Sequence, residues 1–342
     1  MPRRCLLTGI GGFIGSHFLE HVLLNTDWEV VGIASWRHRG LPERILDSEH
    51  YQRHRDRVTL YTHDLATPIS PILERRIGRP DIIVNFASES HVDRSIEDPV
   101  PFVQNNVNLV LWLLEFSRAV KPDVFVQVGT DESYGPAEPG KDHKEWDTVL
   151  PSNPYSASKA AQEAIAISYW RTYGVPVLLT NTMNNIGERQ DPEKFLPKVI
   201  KHVLDGRVMP IHAIGDRIGS RYYLHARNHA DGLLFILDRV RPVLFPDATR
   251  PARFNIVGER EVDNLEMARL IARCVGKPLR YELVNPYAER PGHDLRYGLD
   301  GSKLAGLGWR PPIALEASLE KTVQWYLRHP EWLEFSYHRR CS

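Results

Sequence analysis

The segment CLLTGIGGFIGSHFLEHVLL (5–24) constrains the fold more than any other part of the chain. An apolar run leads into a glycine turn. Phe18, Leu19, Val22 and Leu23 then recur at helical spacing. Gly9 permits a tight turn, Gly12 lets the backbone approach a ligand, and Gly15 lets the helix pack close. The first amides of such a helix lack intrahelical partners and favour anionic oxygens. Gly9, Gly12, Phe13, Ile14 and Gly15 are therefore expected to cradle the diphosphate of a dinucleotide. A purely structural turn can carry the same glycines, so the segments that follow must decide.

They continue the pattern. EVVGIAS (29–35), RVTLYTHDL (57–65), DIIVNFAS (81–88), DVFVQVGT (123–130) and VPVLLTNTM (175–183) read as strands. Helices are expected at 69–77, 105–120 and 155–173. Most of these strands lack polar alternation, which is how a parallel sheet covered on both faces reads. Beyond residue 184 the rhythm loosens. Helices are expected at 192–206, within 221–239, at 264–276 and at 315–333, with a strand at 252–258. Leu265, Ala268, Leu270, Ile271 and Val275 should be core positions. The expected fold is α/β: a Rossmann-type parallel sheet with helices on both faces, plus a smaller C-terminal α/β lobe. Residues 1–184 would form the dinucleotide-binding domain, with segments from about 215–240 returning to it. Residues 185–335 would mainly form the substrate lobe.

A ribose-binding acid is expected about 20 residues after the glycine turn. Here the second strand ends at Ser35, and Trp36-Arg37-His38-Arg39 follows with no acid. Arginines suit a 2′-phosphate, which a carboxylate would repel. The reading leans toward NADP over NAD, with Ser35, Arg37 and Arg39 at the ribose. The alternative is a hydroxyl-lined NAD site beside two solvent-facing arginines. Asp64 and Leu65, ending the third strand, are placed at the adenine, although a plain turn acid would look the same.

Tyr155 and Lys159 are four residues apart and share one helix face. A nearby ammonium favours a phenolate, which makes Tyr155 a base for a hydroxyl proton during hydride transfer. Thr130, at a strand end, can hold the same oxygen. Tyr and Lys at this spacing are common surface neighbours; the glycine turn on the same chain gives the pair its weight.

Basic and acidic side chains balance at 43 each, which argues against a dedicated nucleic-acid binder. Cys5, Cys274 and Cys341 share no close spacing, so neither a disulfide framework nor a zinc site is expected. MPRRCLLTG reads as a first core strand rather than a signal peptide. No apolar run is long enough to span a bilayer. A cytoplasmic, metal-free protein is the expectation.

TGIGGFIGSH (8–17), NFASESHVDRSI (85–96), TDESYG (130–135) and YSASKA (155–160) resemble the extended short-chain dehydrogenase/reductase superfamily. Within it they are most similar to dTDP-glucose 4,6-dehydratase and related nucleotide-sugar dehydratases. NNIGERQDPEKFLPKVI (184–200), PGHDLRYGLD (291–300) and EASLEKTVQWYLRHPEWL (316–333) extend the resemblance over nearly the whole chain. It implies oxidation of a nucleotide sugar at C4, loss of water across C5 and C6, and hydride return to C6, on a tightly bound NAD or NADP.

By the same resemblance Glu132 is the base and Asp131 the acid of the elimination. Thr130, Tyr155 and Lys159 are the redox residues. Asn85, Phe86, Ala87 and Ser88 line the cofactor edge. Glu89, Ser90 and His91 lie near the sugar. Asn184, Lys194 and Arg221 approach the diphosphate, and Asn255 and Arg296 the far end of the nucleotide. His91 is read as a hydrogen-bonding residue, not a metal ligand. A homodimer through helices 105–120 and 155–173 is also implied.

Two departures stand out. TDESYG replaces the familiar TDEVYG, and Gly219-Ser220-Arg221-Tyr222-Tyr223 replaces the usual arginine-aspartate-aromatic segment. Three other readings stay open. A C4 epimerase would keep Thr130, Tyr155 and Lys159 without needing both acids. Elimination to a 5,6-unsaturated sugar would use the same acids. A redox-sensing binding protein would need neither set.

Overall fold

The structure is a computed structural model that describes residues 2–37, 39–240, 248–285 and 294–334. His38, residues 291–293 of the PGHDLRYGLD segment, residue 335 and Cys341 lie outside them.

Strand β1 (Arg4–Thr8) runs into the glycine turn and helix α1 (Phe13–Asn25). Strands β2 (Glu29–Ala34), β3 (Val58–Thr62) and β4 (Ile82–Asn85) follow. Helix α2 (Pro99–Val120) precedes β5 (Val124–Thr130), and helix α3 (Pro154–Tyr173) precedes β6 (Val177–Thr182). In the second half come α4 (Phe195–Leu204), β7 (Val208–Ile214), α5 (Ala226–Arg239), β8 (Ala252–Ile256), α6 (Asn264–Val275), β9 (Arg280–Val284) and α7 (Leu315–Arg328).

Seven strands form one parallel sheet in the order β8-β6-β5-β4-β1-β2-β3. The order reverses between β1 and β4, which opens a crevice at the strand ends there. Every residue of β4, β5 and β6 is buried, so their apolar runs follow from burial on both faces. One core lies between the sheet, α1 and α5; Phe18, Val22, Leu233 and Phe254 belong to it. Another lies under α2 and α3 and holds Leu113, Phe125 and Trp170. The second lobe packs Val199 and Ile200 of α4 against Ala268 and Ile271 of α6 and Leu319 of α7. Its small sheet pairs β9 with β7.

Helix α2 starts at Pro99, six residues ahead of the expected 105. Proline is tolerated in the first turn, where its missing N–H would have no partner. Helix α3 begins under a capping box, with Asn153 and Ser156 each bonding the other's backbone amide. The terminal helix stops at Arg328 because Pro330 follows, and 330–333 form a 3-10 turn. Strands β7 and β9 have no counterpart among the expected elements. Beyond helix α5, strand β8 also joins the main sheet, pairing with β6.

Candidate active site

A cleft of about 380 Å³ opens at the crevice. Its floor is the glycine turn. Gly9 has φ +66, and a Cβ there would stand 2.7 Å from the backbone nitrogen of Ala87. Gly12 caps α1 with no side-chain hydrogen bond, so the helix start faces the cleft open. Gly9, Gly12, Phe13, Ile14 and Gly15 all line it, as do Ser35, Arg37, Arg39, Asp64, Leu65, Phe86, Ala87 and Ser88. A side chain at Gly9 would collide with the Phe86–Ala87 backbone, so the bare turn lies tight against the end of β4, and the helix start beside it suits an anion; these residues fit a dinucleotide diphosphate.

The arginines after β2 are engaged. Arg37 pairs with Asp64 at the end of β3. Arg39 turns away to Asp191 and Glu193 of the second half. Trp36, just ahead of them, has φ +54 and lays its ring over the turn; a Cβ on Gly11 would lie 2.7 Å from it. Its indole N–H donates to Thr62 Oγ1 at 2.8 Å. Nothing in the sequence pattern singled Trp36 out, because its contact is set by a strand-end backbone turn.

The reacting end lies where β5 stops. Thr130 is followed by a 3-10 turn over Asp131–Tyr134. The Thr130 hydroxyl donates to Asp131 Oδ1 at 2.9 Å, and the Glu132 amide donates to the same oxygen at 3.0 Å. Both acids, Tyr155 and Lys159 line the cleft. Burial raises both carboxyls above the usual carboxylate range. The Asp131 charge raises Glu132 further, while Arg221 opposes the rise of both. Two neighbours this close do not both ionise readily, so one proton stays on the pair near neutral pH.

Lys159 is buried, and its ammonium donates to the Val128 carbonyl at 2.8 Å and to Gln162 Oε1 at 2.9 Å. Desolvation lowers it to about 8. Tyr155 differs from expectation. Burial, then the charges of Glu132 and Asp131, push its phenol up, and only a hydrogen bond with Thr130 works against them. Two of the three ammonium N–H groups of Lys159 go to Val128 and Gln162, and its charge is not among the influences on the phenol. The chain's own side chains therefore do not make the phenolate by themselves.

A buried polar ladder stands behind Lys159. Thr8 donates to Asn85, Asn85 to Gln127, and Gln127 to Gln162, at 2.6, 2.8 and 3.1 Å. Thr8, Asn85 and Gln127 are register neighbours across β1, β4 and β5. Gln162 was legible at most as the residue three beyond Lys159, on the same helix face. Asn106 completes the frame, donating to Ser158 Oγ at 2.9 Å and to the Glu89 carbonyl at 3.0 Å.

Glu89, Ser90, His91, Asn184 and Lys194 line the outer part of the cleft. His91 is tied to Glu193 at 2.7 Å, and Lys194 donates to the Ser90 carbonyl at 3.3 Å. Arg221, Asn255 and Arg296 are not in the lining. Arg221 is buried, donates to the carbonyls of Ser220, Asp294 and Leu295, and lies 4.4 Å over the Tyr297 ring. Asn255 donates to the carbonyls of His143 and Asp300. Arg296 pairs with Glu261 and Asp142. Among the described residues no group of three or more His, Cys, Asp or Glu side chains is placed to hold a metal ion.

The model of the GDP-mannose 4,6 dehydratase family matches residues 6–322. The chain belongs to that family. Members similar to it include the dTDP-glucose 4,6-dehydratase of Escherichia coli, 33% identical over 96% of this chain and 95% of that protein. The low-salt glycan biosynthesis protein Agl12 of Haloferax volcanii is 34% identical over 95% of this chain and 99% of its own length. The crystal structure of DesIV, a dTDP-glucose 4,6-dehydratase from Streptomyces venezuelae with NAD and TYD bound, superposes with a TM-score of 0.83 at 32% identity, covering 97% of this chain and 99% of that one.

Proposed function

We propose that this family member is a nucleotide-sugar 4,6-dehydratase. The observation that carries the reading is the acid pair of buried Asp131 and half-buried Glu132, set at the end of β5 in the same cleft as Tyr155 and Lys159. Thr130 and Tyr155 hold the C4 hydroxyl of the sugar, and Tyr155 takes its proton. A nicotinamide dinucleotide, when held over Gly9, Gly12 and Gly15, would supply the acceptor and later the donor of one hydride. With C4 a ketone, the C5 proton is acidic. Glu132 removes it, and Asp131 protonates the departing C6 hydroxyl, so one water leaves. Return of the hydride to C6 and of a proton to C5 would complete the product with no net oxidation or reduction. Asn184 and Lys194, which line the cleft, are assigned to the sugar's diphosphate.

An epimerase is the second reading, because the Thermus thermophilus UDP-glucose 4-epimerase has the same fold at 27% identity and a TM-score of 0.82. That chemistry has no leaving hydroxyl to protonate, and the acid pair speaks for elimination. Incubation with a panel of nucleotide sugars separates the two. The dehydratase forms a product lighter by one water; an isobaric product overturns it.

The cofactor follows the same division. DesIV carries NAD. Here no acid ends β2, and Arg37 stays half-exposed in the cleft, pinned at the β3 end by Asp64. We infer that the site accepts a 2′-phosphate and holds NADP more tightly than NAD. Calorimetry of cofactor-stripped protein should show at least about a tenfold preference, in line with a charge-assisted hydrogen bond. Arg37→Leu should erase it. Equal binding of both cofactors by the unaltered protein overturns the inference.

Residues 1–184 are assigned to the dinucleotide and 185–335 mainly to the nucleotide sugar. Helices α2 and α3 pack side by side on one face of the sheet and form the proposed homodimer surface. No described helix is long and apolar enough to cross a membrane, and a cytoplasmic site of action is proposed.

A further inference from the structure

Three polar side chains are buried behind β5, outside the cleft. Arg253 on β8 is 2% exposed and Glu163 on α3 is 3% exposed. The guanidinium of Arg253 pairs with the Glu163 carboxylate, and its Nε–H donates to Asn181 Oδ1 at 2.9 Å. The Asn181 amide donates to Glu163 Oε1 at 2.7 Å and to the Thr130 carbonyl at 3.1 Å. Tyr134 and Trp146 lie against the guanidinium, with ring centres 5.0 and 5.3 Å from it. The carboxylate rests directly on the β5 backbone. A Cβ on Gly129 would stand 2.1 Å from Glu163 Oε1 and 2.6 Å from the Asn181 amide nitrogen. On one side of Gly129 the Val128 carbonyl takes Lys159, and on the other the Thr130 carbonyl takes Asn181.

We propose that Arg253, Glu163 and Asn181 form a positioning unit that fixes Lys159 and Thr130 for the hydride step. This rests on the assignment of that step to Thr130, Tyr155 and Lys159. A buried ion pair is a weak source of stability, since desolvation costs about as much as attraction returns. Its place one helical turn beyond Lys159 points to another use. Glu163 is the group that raises Lys159 against the desolvation that lowers it. Burial raises the Glu163 carboxyl, and Arg253, Asn181 and Lys159 each work against that rise. The other charged or titratable groups facing this end of the cleft are Asp131 and Glu132 from the 3-10 turn and Tyr155 from α3 itself. None of the three bonds the Lys159 ammonium in the hydrogen bonds described.

The test uses the holoenzyme and the transient absorbance of reduced cofactor after mixing with nucleotide sugar, followed across pH. In the unaltered protein the hydride step should fall as pH rises past about 8, where Lys159 loses its proton. Glu163→Gln removes the carboxylate that favours the ammonium. The alkaline limb should move to lower pH and the step should slow about 10- to 100-fold, with substrate affinity changed less than about twofold. Glu163→Gln also strands Arg253, so Glu163→Gln/Arg253→Met is the second variant. It should regain melting temperature but not the pH profile. Arg253→Lys should keep both. A double variant with the profile of the unaltered protein reduces the unit to a structural role and overturns the proposal. An unaltered protein that never reduces its cofactor overturns instead the assignment beneath it.

Discussion

Glu132→Gln is expected to abolish water loss while leaving the first oxidation intact. The change is isosteric, so the 3-10 turn keeps its geometry and the amide of residue 132 still donates to Asp131 Oδ1. What is lost is the only group assigned to accept the C5 proton. Dehydrated product should fall about 10³-fold, the middle of the range for a positioned general base. Reduced cofactor, normally consumed by the returning hydride, should accumulate. Product appearing at the unaltered rate would remove Glu132 from the mechanism and leave the acid pair unexplained.

Tyr155→Phe should fail one step earlier. The ring is buried and meets Phe102 edge-on at 6.3 Å, so the phenylalanine keeps the packing and folding should be little changed. The C4 hydroxyl then has no acceptor for its proton. Both reduced cofactor and product should drop by about 10²- to 10⁴-fold, and no intermediate should build up. Stopped-flow absorbance and product mass, read together, separate the two variants. Glu132→Gln gives reduced cofactor without product; Tyr155→Phe gives neither. If Tyr155→Phe still reduced its cofactor rapidly, the proton would have another acceptor, and Thr130 would be the first to examine.

The local motifs were legible because their physics is local. Gly9 reveals a positive φ, Tyr155 and Lys159 share a face by helical period, and β4 to β6 announce burial by their apolar runs. What depends on register was not legible. Thr8, Asn85 and Gln127 are far apart in sequence and meet only because three parallel strands align them. Arg253 meets Glu163 only because a strand from the second half adds itself beside β6. The phenol of Tyr155 shows the limit of pairwise reasoning. Spacing put an ammonium near it, but a carbonyl and a glutamine claim that ammonium first. Arg39 shows the same limit. Its place after β2 suggested the ribose, whereas two carboxylates across the cleft draw it to the other lobe.

Strand β8 closes the main sheet beyond β6, yet it is supplied by residues 252–256. A fragment ending near residue 184 would therefore leave β6 with an unpaired row of amides and carbonyls, an invitation to self-association. Because Arg253 belongs to that same strand, the second half of the chain also supplies the backing of the residues assigned to hydride transfer.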